Sequence, residues 1–319
     1  MSENRGIFSL EEFYDLQVSG ETTNIFEVFR FVNSLEVPAV SGGPAYAYVT
    51  GGYPSPELSK VQRIDFNNDT ATASPRGDLS SNRGFGAGTG NTSYGYAGGG
   101  LPDGSKIDRV DYENDTATSS PKGNLSQARM YLSAAGNADY GWWAGGDGEN
   151  STVDRKDYAS DTTTNSVRGT LTVNKRVSSS GTGNLNYGYF CGGATGNGGP
   201  YVSTVERVEY SNDTPTASPK GPLTSATGYS AAGGNGDYGY NGGGWPASTP
   251  NVSTIDRIDF SNDTASTLAR SNLAPGNNGY FVAAGNSDFG YWIGGISGSK
   301  TKVDRLDYSN DTATTSPKG

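Results

Sequence analysis

One unit of sequence is written six times along the 319 residues. It runs from a stretch of small residues through Tyr-Gly-Tyr and a double glycine to a loop of variable length, then Asp-Arg-x-Asp-Tyr, then Asn-Asp-Thr-x-Thr. The arginines at its most constant point are Arg63, Arg109, Arg155, Arg207, Arg257 and Arg305, spaced by 46, 46, 52, 50 and 48 residues. The double glycines begin at Gly51, Gly98, Gly145, Gly192, Gly242 and Gly294. A period of this size marks an architecture in which one supersecondary unit is stacked or arrayed.

Each unit reads as four short strands. The first is made of small residues, as in Leu132 to Ala135 and Tyr229 to Ala232, which suits the crowded innermost position of a radial sheet. The second carries aromatics, as in Tyr94 and Tyr96. The third alternates, with Ile107, Arg109 and Asp111 on one face and Val110 and Tyr112 on the other. The fourth, Thr116 to Ser120, is polar and usually followed by proline (Pro75, Pro121, Pro219, Pro317), as fits an outer edge protected from further pairing. The expected fold is all-β, a six-bladed β-propeller over 37–319 with blades at 37–80, 81–126, 127–172, 173–224, 225–274 and 275–319. No strand is left over for exchange, so closure is expected to rest on packing of blade one against blade six.

The order of double glycine, a strand rich in Val, Asp and Tyr, a turn, and an Arg-containing link such as Leu125 to Arg129 resembles the kelch repeat. The resemblance covers residues 37–319, although the tryptophan that kelch repeats usually place in the fourth strand is absent. It implies a kelch-like propeller and leaves function open, since propellers host unrelated activities.

Residues 1–36 stand outside the repeat. Ser9 with Glu12 and Asn24 with Glu27 have capping-box spacing, predicting short helices at 10–18 and 25–33. The second contains Ile25, Phe26, Val28, Phe29, Phe31 and Val32, too apolar for an exposed helix of two turns. Two uses are open: covering the bottom of the propeller, or docking onto another protein through Phe8, Phe13, Ile25, Phe26, Phe29 and Val32. The wording Arg5-Gly6-Ile7-Phe8-Ser9-Leu10-Glu11-Glu12-Phe13-Tyr14-Asp15-Leu16 resembles the N-terminal segment of virion proteins from tailed, especially marine, bacteriophages. Proteins of that group also carry repeats similar to Asp-Tyr-x-Asn-Asp-Thr-Ala-Thr. The resemblance implies a virion protein assembled in the bacterial cytoplasm, joined to other virion proteins through residues 1–36, with its oligomeric state imposed by the virion. It also implies a propeller facing outward as a tail or fibre-associated module that meets a host-surface glycan or protein. A decoration protein with an architectural role and a glycan-active enzyme are the alternatives.

Composition narrows the chemistry. A net charge of −10 repels nucleic acid and anionic membrane surfaces, and no secretory signal or long apolar span is visible. The chain has no histidine, which removes Ser-His and Cys-His nucleophile systems and the usual zinc sites. Galactose oxidase shares the kelch fold, but its copper site needs histidines. Paired carboxylates for sugar hydrolysis survive that test, yet the acids recur in every blade, whereas a catalytic site should depart from the repeat. The expectation is therefore no enzyme, no cofactor and no metal. Asp65, Asn67 and Asp69 mimic the start of a calcium loop but lack its glycine and distal glutamate, and turn chemistry explains them. Cys191 stands where neighbouring blades have Ala144 and Ile293, as a packed core thiol would.

Two further expectations concern charge and ligands. The six arginines each have an acid two positions on, from Arg63 with Asp65 to Arg305 with Asp307, so pairing within or between blades is expected. The third-to-fourth strand turns hold Asp69, Asp115, Asp161, Asp213, Asp263 and Asp311, and the fourth-strand exits hold Arg76, Lys122, Arg168, Lys220, Arg270 and Lys318. Because successive turns lie at opposite ends, this predicts an acidic ring on one face and a basic ring on the other. The variable second-to-third strand loops share the predicted basic face and present Tyr53, Leu101, Tyr201 and Trp245. Of these, Tyr53, Tyr201 and Trp245 are the candidate ligand-binding residues.

Overall fold

A computed structural model of the chain describes residues 45–52, 58–148, 150–175, 180–196, 199–246, 252–275, 281–294 and 302–318. These form six antiparallel blade sheets, each a meander, arranged as a six-bladed β-propeller, with one further two-stranded pairing of Thr227–Gly228 and Trp245–Pro246. Blade one contributes Tyr46–Thr50, Val61–Asp65 and Ser74–Pro75. Blade two runs Ala87–Gly90, Tyr94–Gly98, Ile107–Asp111, Ser120–Lys122, and blade three Ser133–Gly136, Tyr140–Ala144, Thr152–Asp157, Ser166–Thr170. Blade four is Ser180–Gly183, Tyr187–Cys191, Val205–Glu209, Ser218–Lys220, and blade five Ala231–Gly234, Tyr238–Gly242, Thr254–Asp259, Leu268–Asn272. Blade six is Phe281–Gly285, Phe289–Gly294, Val303–Asp307, Ser316–Pro317. The expected N-terminal helices lie outside the described residues. Among the described residues the only helical turns are the 3-10 turns Phe66–Asn68, Tyr210–Asn212 and Tyr308–Asn310.

Boundaries differ from the sequence expectation in two informative places. The innermost strands begin later, so that Tyr229 precedes Ala231–Gly234 instead of opening it. The outer strands also begin later, at Ser120 in blade two, which puts Pro121 inside the strand and Thr116 to Ser119 in the turn. Where the outer strand contains proline it is two or three residues long. In blades three and five, which have Val167 and Ala269 there, it is five residues long. Proline has no N–H to offer a ladder, and its absence lets the edge extend.

The double glycines turn the chain out of the second strand with backbone that side chains avoid: Gly51, Gly99, Gly145, Gly192, Gly243 and Gly294 have φ between 64° and 85°. In blades two and five the turn uses the second glycine of a triple. The first, Gly98 or Gly242, leaves room for an indole of the next blade, because a Cβ there would sit 2.8 Å from Trp143 Nε1 or 2.5 Å from Trp292 Nε1.

The seams between blades repeat one arrangement six times. An aromatic from the second strand stacks on the aromatic that follows the third strand of the next blade, as in Tyr48 on Tyr112 and Tyr96 on Tyr158, with centroids 4.9 and 4.6 Å apart. Trp142 on Tyr210, Tyr189 on Phe260 and Tyr240 on Tyr308 continue the series at 3.9, 4.8 and 4.7 Å. Tyr291 on Phe66 closes it at 4.8 Å, between blade six and blade one. Apolar side chains from both sides fill in around each stack, with Ala47, Ile64 and Val303 at the closing seam.

The aspartate of each third-to-fourth strand turn enters the same seam. Asp115 accepts hydrogen bonds from Tyr48 at 2.7 Å and Arg63 at 2.8 Å, both in blade one, and pairs with Arg76 at 3.2 Å. Asp161 takes Tyr96, Arg109 and Lys122; Asp213 takes Trp142, Arg155 and Arg168. Asp263 takes Tyr189, Arg207 and Lys220, and Asp311 takes Tyr240, Arg257 and Arg270. Asp69 takes Tyr291 at 3.0 Å, Arg305 at 2.7 Å and Lys318 at 3.5 Å, which carries the seam round to blade one. Each arginine also lies over an aromatic of its own blade, from Arg63 over Tyr46 at 4.1 Å to Arg305 over Phe289 at 4.3 Å.

These contacts overturn the polarised disc. The turn acids are buried, at 5–9% exposure, and each meets the fourth-strand base of the preceding blade, so the two predicted rings neutralise one another inside the seams. They also settle the arginine pairing as one between blades. The aspartates two positions on cap the following turn instead, as Asp65 does for Asn67 N at 2.9 Å and Asp307 for Ser309 N at 2.9 Å, while Glu209 in blade four accepts from the Ser211 hydroxyl. Burial and the neighbouring carboxylate push the seam phenols of Tyr48, Tyr96 and Tyr291 up, keeping them protonated donors. Burial opposes ionisation of Asp311, but hydrogen bonds from Arg270 and Tyr240 and the charge of Arg257 hold its carboxyl below the ordinary range.

One seam departs from the pattern. At the third-strand position that holds Ile64, Val110, Val208, Ile258 and Leu306, blade three has Lys156. It is 1% exposed, and its Nζ donates to the carbonyls of Gly123, Asp161 and Thr163 at 3.2, 3.1 and 2.6 Å. Desolvation pushes this ammonium down from 10.5 to about 8. A lysine whose pKa falls on folding leaves the unfolded chain binding the extra proton, so this group's contribution to stability rises with pH between about 8 and 10.5. Lys156→Val is expected to remove a gain of roughly 3 kcal/mol over that window. Urea unfolding of both proteins at pH 7.5 and 10 measures it, and equal pH slopes would contradict it.

Candidate functional site

The face that carries the second-to-third strand loops and the links between blades gathers aromatic side chains near the propeller axis. Phe85, Tyr131 and Tyr229 occupy the same place in blades two, three and five, just ahead of the innermost strand. All three have left-handed backbone, with φ of 62°, 57° and 58°. For bulky side chains this conformation costs about 1–2 kcal/mol each, and such strain persists only where surrounding structure imposes it.

Phe85 lies 4.7 Å from Tyr131 between ring centroids, and Tyr131 lies 6.2 Å edge-on from Tyr229. Blade four separates the blades of Tyr131 and Tyr229, so their meeting places both rings over the convergence of the innermost strands. Trp245 joins the group 5.7 Å from Tyr229. A short bridge fixes its position: Gly228 pairs with Trp245 and Thr227 with Pro246, tying the link ahead of blade five to the loop that follows its second strand. Tyr201 reaches the same place from blade four, since a Cβ on Gly228 would come within 2.7 Å of its ring. Burial and the nearby Tyr229 push the Tyr201 phenol up, so it stays a neutral hydroxyl.

The rings of Phe85, Tyr131, Tyr201, Tyr229 and Trp245 are all half-buried, leaving part of each surface to solvent. This is a rigid platform of π faces with phenol and indole groups at its edges, suited to stacking against the apolar face of a sugar ring or filling a pocket on a protein.

Of the residues expected from sequence, Tyr201 and Trp245 are brought together through Gly228 and Tyr229. Tyr53 lies outside the described residues, as do Phe8, Phe13, Ile25, Phe26, Phe29 and Val32. Leu101 is 38% exposed and bridges to Gly84, beside Phe85. The sequence reading missed Phe85, Tyr131 and Tyr229. Their signal is an aromatic at a fixed offset before the small-residue strand, and it was obscured because Tyr229 was placed within that strand. Cys191 is fully buried in the core at the Tyr189–Phe260 seam, and burial pushes its thiol up to about 12. Compared with protein-family models and with curated proteins, the chain matches none.

Tyr131→Gly is expected to unfold in urea within about 1 kcal/mol of the parent, because relief of left-handed strain offsets the lost ring contacts. A loss of several kcal/mol would make the ring a structural element of the propeller instead of a surface held for a ligand.

Proposed function

We propose that this chain is a non-enzymatic structural protein of a bacteriophage virion, a kelch-like propeller whose aromatic face binds a glycan on the host surface. The observation that carries the binding role is the convergence of Phe85, Tyr131, Tyr229, Tyr201 and Trp245 from four blades, three of them on strained backbone. A propeller needs no such group to close, since the seams supply closure elsewhere. The turn aspartates that recur in every blade are engaged by arginine, lysine and tyrosine or tryptophan partners. This leaves them occupied by the scaffold and favours binding over sugar hydrolysis. The double glycines and the arginine-bearing links support the kelch-like reading. The virion role, and attachment to other virion proteins through residues 1–36, rest on the N-terminal wording.

The triple variant Tyr201→Ala, Tyr229→Ala, Trp245→Ala is expected to lose at least tenfold in binding to host cells or purified host polysaccharide, with its melting temperature close to the parent's. Undiminished binding would remove the aromatic face from the function. Deleting residues 1–33 is expected to abolish incorporation into virions while leaving a folded propeller, and retained incorporation would remove the docking role.

A further inference from the structure

We propose that blade five holds a binding site for a cationic nitrogen group, a guanidinium or primary ammonium, seated on the buried carboxylate of Asp256.

Just before the seam arginine, the third strand of blades two to six carries an acid: Asp108, Asp154, Glu206, Asp256 and Asp304, all at most 4% exposed. In blade two, Arg83 from the preceding link reaches Asp108 at 3.2 Å and donates to the carbonyls of Ala97 and Lys106 at 2.8 and 2.7 Å. In blade three, Arg129 does the same for Asp154 at 2.9 Å and for the Trp143 carbonyl at 3.2 Å. Lys175 serves Glu206 at 2.8 Å in blade four, and in blade six Lys302 comes from the residue just before the third strand, 3.5 Å from Asp304. Blade one has neutral Gln62 there.

Blade five has neither source of charge. The link position is Thr227 and the strand position is Thr254, and among the described residues no lysine or arginine pairs with Asp256. Asp256 accepts from Thr224 N at 2.9 Å and Thr224 Oγ1 at 2.7 Å. Those bonds correspond to the ones Ser80 gives Asp108 beside Arg83, so they supplement a cation and do not replace one. Burial accordingly raises the Asp256 carboxyl, with hydrogen bonds from Thr224 and from the Thr267 hydroxyl offsetting part of the effect.

A second observation concerns the route the arginine takes. In blade two the stem passes the second turn glycine, with Arg83 Cγ 3.1 Å from a Cβ built on Gly100; in blade three Arg129 Cβ and Cδ pass Gly146 at 3.3 Å. In blade five the corresponding neighbours of Gly244 are Thr227 Cβ and Ser230 Cβ, both at 3.2 Å. The hydroxyls of Thr227 and Ser230, at 2% and 6% exposure, have no hydrogen-bond partner among the described residues. The arginine route to a carboxylate that the fold elsewhere pairs with an arginine or lysine is thus flanked in blade five by two buried, unpartnered hydroxyls. Thr227 and Gly228 on that route are buried, bridged to Pro246 and Trp245 and overlain by Tyr201. A cationic group entering there passes aromatic faces that favour it, and the carboxylate takes it by charge-assisted hydrogen bonds.

Titrating the full chain with methylguanidinium and methylammonium chlorides, with tetramethylammonium chloride at equal ionic strength as the control, tests the site without any host material. The expected result is a saturable rise in melting temperature with the first two and none with the control, lost in Asp256→Asn. Thr227→Arg, which installs the residue of blades two and three, is expected to raise the melting temperature and abolish the saturable response. A response equal to that of tetramethylammonium, or one undiminished in Asp256→Asn, would overturn the proposal. So would a Thr227→Arg protein less stable than the parent.

Discussion

A buried carboxylate shared between neighbouring blades is the contact on which this propeller depends. The aspartate of each third-to-fourth strand turn leaves its own sheet and enters the preceding blade, where an arginine, a second cation and a phenol or indole converge on it. Replacing the aspartate removes the shared acceptor of all three partners at once, a loss of about 3–5 kcal/mol. The arrangement therefore specifies which blade sits beside which, and in what orientation, more sharply than apolar packing alone. It also imposes close approach. In blades one to four the residue after the fourth-strand base is glycine, Gly77, Gly123, Gly169 or Gly221, because a Cβ there would overlap a turn carbonyl of the next blade.

Much of this architecture was legible in the repeat. Six copies of a unit with four strand-like segments, glycine pairs and a polar outer edge admit few folds other than a propeller. The seams were not legible, for a reason intrinsic to repeats. Arg63 meets Asp115, 52 residues away, which is close to one full period, so Asp115 and its counterpart Asp69 look alike from within a single repeat. A reading confined to one blade puts the acids and bases at opposite ends of the disc. Assembling two blades puts the acid of one beside the base of the other. The acids two positions after the arginines were likewise read as their partners, when Asp65 and its aspartate counterparts cap the turns that deliver the true partners.

The site was half legible. Tyr201 and Trp245 stood out because they break the repeat in loops of unequal length. Phe85, Tyr131 and Tyr229 did not, because they stand at one fixed offset in several blades and read as part of a strand. Their left-handed backbone is a property no composition or periodicity reveals. The other departures are single substitutions in a regular frame: Lys156 where other blades have an aliphatic residue, and Thr227 where two blades have arginine. A pseudo-symmetric ring makes such exceptions conspicuous, since five neighbours supply the reference for each position.

The ring closes through the same shared carboxylate that joins consecutive blades. A double-mutant cycle between Arg305 and Asp69, using Arg305→Met and Asp69→Asn, measures that contact directly, with Arg109 and Asp161 as the internal reference. Coupling of about 1–3 kcal/mol is expected at both pairs, with the closing seam as strong as the reference. Coupling at Arg109 and Asp161 together with none at Arg305 and Asp69 would contradict it.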